Sequence, residues 1–298
     1  MGRRRNGRIL RFFTGYHARD MGDMLNAGLL RRAYLETRWT TLVFGVCVLL
    51  ISTLLHFALP RFQKNLEAFQ LPAARLTNLN NIRNAMLGAD VSNAGGREIA
   101  AGVAWSHPFF LALIFAQVIT VCTRVPAAEL DRGTMDVLLG LPVSRSQLYF
   151  SETAVCVATS AVVVGLAVAG SRIGNTMAPL GMAPDLPPVL IIAVNLLLLN
   201  VAVGAFAMGC SAVLGRRMHA VAAVLIVVVG SLLINYLRLL WEPARHIAFL
   251  SILDYYRPII PLRDGQWPWK DMAVLGGTSL ALWVAAGAWF FRRDLSTT

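Results

Sequence analysis

The stretch VLIIAVNLLLLNVAVGAFAMGC, residues 189–210, decides the fold: it carries no charge and is apolar on every side of a helix. About 20 such residues suffice to cross ~30 Å of hydrocarbon as a helix. Inside lipid every backbone N–H and C=O must be met within the helix itself or within a closed barrel. Barrel strands alternate apolar and polar with period two, and this stretch does not. It reads as a membrane-spanning helix.

Outward from it, five more uncharged intervals of comparable length appear, so the set is 39–60, 99–123, 153–171, 186–215, 218–237 and 272–291. The composition agrees, with 56% hydrophobic and 14% charged residues and a mean hydropathy of +0.59, well above a soluble domain. The expected fold is therefore all-α: a six-helix transmembrane domain over 39–298, with spans near 39–59, 104–123, 148–170, 188–212, 218–238 and 272–291. Residues 1–38 precede it. Their portion 20–38 places Met21, Met24, Leu25, Leu29 and Tyr34 near one face at helical spacing, which predicts an amphipathic helix lying in the headgroup region.

Charge sets the orientation. The chain has 27 Lys and Arg against 16 Asp and Glu, a net charge of +11. Nine arginines fall in the first 38 residues (Arg3, Arg4, Arg5, Arg8, Arg11, Arg19, Arg31, Arg32 and Arg38). In a membrane protein this excess marks the cytoplasmic side and faces anionic lipid. With no folded basic domain outside the spans, nucleic acid is not an expected partner. An even number of crossings then puts both termini, the 124–152 connection and the Arg216–Arg217 turn inside, as for a bacterial inner-membrane protein. "MGRRRNGRIL" is read as retained, its apolar core being too short for a signal peptide.

Sites of chemistry are sparse. Cys47, Cys122, Cys156 and Cys210 fall in or beside spans and read as buried thiols. His17, His56, His107, His219 and His246 have no ligand spacing, so no metal is expected. A catalytic intramembrane site would need paired carboxylates or a Ser/His pair at depth, and none is legible. Glu152, near the inner end of the third span, is within reach of water or of an arginine. The aromatic and proline-rich stretch 239–271 predicts interfacial or re-entrant helices before the last span.

The organised exception is AAELDRGTMDVLLGLPVSRSQLYF, residues 127–150. Taken as a helix, 129–141 puts Leu130, Thr134, Val137, Leu138 and Leu141 on one side, and Pro142 ends it. A leucine ridge with a charged rim suits a helix docked in a partner's groove.

This loop resembles the cytoplasmic loop of permease subunits of type-two ABC exporters. The matching positions are Glu129, Gly133, Thr134, Asp136, Leu138, Leu139, Pro142, Ser144 and Arg145. The likeness extends to six spans, to a helix before the first span, to Ser251, Tyr255 and Tyr256 ahead of the last, and to a tail here reading FFRRDL. It implies a coupling helix that binds a separate ATP-hydrolysing subunit, with Leu130 and Leu141 on its apolar side. It also implies a second permease, either another copy or a relative. Arg145 would meet acidic groups on that subunit or lipid phosphate. A phosphate-binding loop needs Gly-x-x-x-x-Gly-Lys-Ser/Thr, yet Lys64 precedes Asn65 and Lys270 precedes Asp271. ATP and Mg are thus expected on the partner, with no cofactor in this chain. The alternative reading is a membrane scaffold that recruits a cytoplasmic ATPase without transport.

Overall fold

The computed structural model describes residues 25–68, 83–84, 87, 94–135, 140, 142–240 and 242–292. The arginines up to Arg19, Met21 and Met24, residues 69–82, 85–86 and 88–93, and the end of the FFRRDL tail beyond Arg292 lie outside the described residues. Among those described, every regular element is helical. Six helical segments are long and apolar enough to cross a membrane, one for each uncharged interval.

The first is α1 (Ala27–Ala68). Asn26 caps it, its Oδ1 accepting from Gly28 N at 2.8 Å, as helix-starting Asn does. Of the headgroup helix expected over 20–38, residues 20–24 lie outside the described residues, and the part from Ala27 is continuous with the span. The helix starts at Ala27 and runs unbroken into the membrane, because no Gly or Pro lies between Gly28 and Gly45 to stop it. Its buried stripe is Leu29, Ala33 and Thr37, while Leu25 and Tyr34 are exposed.

The second span is two pieces, α2 (Gly96–Ser106) and α3 (Pro108–Cys122). His107 between them is extended (φ −61°, ψ 128°), the geometry that a following proline imposes. After a kink and the short α4 (Glu129–Asp131) come α5 (Arg145–Thr176), α6 (Leu186–Leu214) and α7 (Arg217–Leu240). α6 is central, with 67% of its apolar window buried, whereas α7 is peripheral at 22%.

α5 packs along α1 at very short range. A Cβ on Gly170 would stand 2.4 Å from Leu49 O, and one on Gly174 2.4 Å from Thr53 O. This Gly-x-x-x-Gly spacing lets membrane helices touch backbone to backbone. Ser52 Oγ seals the contact by donating to Ala167 O at 2.8 Å. Nearby, Cys122 of α3 and Cys156 of α5 are joined as a disulfide, their Cα atoms 6.3 Å apart. That corrects the reading of four separate buried thiols. Helix packing pairs two residues 34 positions apart, which sequence does not display, and Cys47 is exposed rather than buried.

Before the last span, α8 (Glu242–Ile247), 3-10 turns at Ala248–Leu250 and Ile252–Tyr255, and α9 (Ile259–Asp264) fold back onto the bundle. Ser251 Oγ donates to Ser231 O at 3.0 Å, and Tyr256 Oη to Trp105 O at 3.2 Å. Burial pushes the Tyr256 hydroxyl above its ordinary range, so it stays a donor. Phe249 and Leu250 remain exposed. The expectation of short helices here thus holds, with one face anchored inside. Finally α10 (Trp269–Arg292) lies along α6. It meets the start of α5 through Tyr149, whose hydroxyl donates to Trp283 O at 2.6 Å and whose ring stacks on Phe290.

Candidate functional site

The loop after the second span starts with a kink at Arg124–Ala128, where Val125 is extended (φ −122°, ψ 130°). α4 follows and stops within one turn. Thr134 N reaches Glu129 O at 3.0 Å, Gly133 N reaches Leu130 O at 3.1 Å, and Gly133 has φ +67°. This pair of bonds closing on a left-handed glycine is the Schellman stop. The single helix expected over 129–141 is therefore broken at Gly133. The Gly-Thr pair in the motif is a helix terminator, since only a residue free of a Cβ enters that conformation without cost.

Beyond the stop, Met135 is fully buried. Asp136, Val137, Leu138, Leu139 and Leu141 lie outside the described residues, and with them most of the expected leucine ridge. Leu130 is half-buried and packs against the core. Gly133, Thr134, Gly140, Pro142 and Ser144 are exposed.

Two of the expected partner-binding residues bond within the chain. Glu129 is 4% exposed. Its carboxylate accepts from Arg32 at 2.8 Å and from the Thr134 hydroxyl, so it holds the turn to α1 rather than facing a partner. Ser144 is the N-cap of α5. Its Oγ accepts from Gln147 N at 3.1 Å, and Gln147 Oε1 accepts from Ser144 N at 3.0 Å. That reciprocal pair is a capping box. It explains why Ser stands three residues before Gln just where a span begins. Arg145 opens that helix and is half-buried.

Glu129 belongs to a chain of alternating charges. Arg32 also bonds Glu36 at 2.8 Å, Glu36 bonds Arg124, and Arg124 bonds Glu152. The side chains of Arg124 and Glu152 are 10% and 9% exposed, so at this end of the chain each charge depends on its neighbour, while Glu36 at 37% still reaches solvent. Glu152 thus finds the arginine that its position invited. On the other side of the turn, Asp131 Oδ2 accepts from Arg217 N at 2.7 Å, giving the first free amide of α7 an acidic partner. Ser211 Oγ accepts from Ala127 N at 3.0 Å. One short loop is thereby tied to α1, α5, α6 and α7. Sequence reading missed Arg32, Glu36, Arg124, Asp131 and Arg217 as a set. The only local signal was the Arg32/Glu36 pair at i, i+4 spacing.

These contacts gather the first turns of α1 and α5, the last turns of α6 and α10, and the start of α7 at one end of the bundle. The fold and loop together define an all-helical, multi-pass membrane protein with a braced loop at that end. No protein-family model, curated protein or solved structure matches the chain.

Proposed function

We propose that this chain is the transmembrane permease subunit of an ATP-driven ABC exporter, acting as a dimer or beside a related permease. A separate nucleotide-binding subunit carries ATP and Mg and docks on the loop at 129–145. The side bearing that loop is the cytoplasmic face of a bacterial inner membrane, and both termini lie there. The single observation carrying this reading is the bracing of the loop. Its exposed tip at Arg132–Thr134 is continuous with side chains fixed on four helices. Force applied at such a tip reaches the whole bundle, as alternating access between two rigid states requires. The residues that would touch the partner are Gly133, Thr134, Pro142 and Arg145 with Asp136, Leu138, Leu139 and Leu141. Glu129, Leu130 and Ser144 would shape the loop from behind.

The test is reconstitution with a candidate nucleotide-binding subunit. Disulfide cross-linking from Thr134→Cys or Pro142→Cys to that subunit, together with ATP-dependent efflux from vesicles, is the expected result. Retained ATPase binding without any substrate-stimulated hydrolysis would favour the scaffold reading. Loss of cross-linking together with unaltered transport in a Leu138→Asp/Leu139→Asp variant would overturn the proposal.

A further inference from the structure

In the interior of the bundle α3, α5 and α6 meet through small side chains. A Cβ on Gly204 would lie 2.9 Å from Val118, 3.1 Å from Cys156 Sγ and 3.3 Å from Cys122 Sγ, so the three helices are in contact there. One turn, about 5.4 Å, from Cys156 along α5 is Ser160, and one turn back from Gly204 along α6 is Asn200. On α3, Gln117 adjoins Val118. All three have 0% exposure.

Their five polar atoms, Gln117 Nε2 and Oε1, Ser160 Oγ, and Asn200 Nδ2 and Oδ1, are enclosed and have no hydrogen-bond partner in the protein. Enclosed polar groups are very rarely left unmet, because the surrounding apolar medium returns nothing for the hydration they lose.

We infer that this layer is an internal water site, in which Gln117, Ser160 and Asn200 hold ordered water between the second, third and fourth spans. The chemistry selects water on two counts. All three side chains are neutral and offer both donors and acceptors, which suits a molecule that does both and gives an ion no countercharge. A buried water takes two to four such partners, and the layer presents enough for at least one.

The test uses the full chain in lipid nanodiscs, equilibrated in ¹⁸O-water and exposed to a millisecond X-ray pulse, with label read by mass spectrometry. Label on peptides 114–122 and 156–163 is the expected result, because radicals form from water bound beside these enclosed residues. Their remaining unlabelled while exposed Trp269 is labelled would overturn the site. In Gln117→Leu/Ser160→Ala/Asn200→Leu the interior label should vanish and that on Trp269 persist. Interior label that survives in this variant would also overturn it. Should the triple variant not fold, Ser160→Ala and Asn200→Ser alone carry the comparison, with a stepwise loss expected and an unchanged yield counting against the site.

Discussion

Gly133 is where one side chain's absence decides the loop. Its φ of +67° is left-handed, and nothing lies within 4 Å of where a Cβ would stand, so any penalty for substitution is conformational rather than steric. Gly133→Ala should cost about 1–2 kcal/mol, read as a lower melting temperature in detergent, and Gly133→Asn should cost less because Asn tolerates this region. Equal losses for Ala and Asn would show that the turn is set by something else. Glycine and threonine in sequence said that this spot was special. They did not say that the helix ends there, because helical periodicity in Leu130, Thr134, Val137 and Leu141 continues through the break. Ser144 was the opposite case. The Ser-x-x-Gln spacing is a local capping signal fully present in the sequence, although the longer Pro-Val-Ser-Arg pattern overlaps it.

Among elements, the spans were legible and the wiring between them was not. Uncharged intervals located all six helices long and apolar enough to cross, since hydrocarbon tolerates little else. The ion chain joins positions as much as 97 residues apart, and no local pattern announces which arginine meets which carboxylate. Arg124 is its keystone, held between Glu36 and Glu152. Arg124→Met should destabilise by about 3–5 kcal/mol by stranding the buried Glu152, since Glu36 keeps Arg32 and solvent, and adding Glu152→Leu should recover much of the loss. A double-mutant cycle in thermal unfolding measures both, and additive losses would mean the two do not act together. The α1/α5 contact makes a second prediction at this scale. Gly174→Leu forces a side chain against Thr53 O and should cost about 1–3 kcal/mol by overpacking, whereas Gly165→Leu, with open space around it, should be tolerated. The same thermal scan separates them.

For the molecule as a whole, the alternation of six crossings sets opposite ends apart. With Cys47 and Cys210 replaced, Thr134→Cys and Gly181→Cys should react with a membrane-impermeant maleimide from opposite faces of sealed vesicles. Reaction of both from one face would refute the six-crossing arrangement. The first helix has a geometry that matters here. At 42 residues and ~1.5 Å each, α1 is about 63 Å long, roughly twice the hydrocarbon thickness. It is fastened near its start by Arg32 to Glu129 and near its other end by Arg61, which donates to Phe57 O and Met177 O. A rod that overhangs its slab on both sides behaves as an oar in its lock. Any tilt imposed beside Glu129 reappears, reversed in sense, beside Met177, with no need for the intervening lipid-facing residues to rearrange.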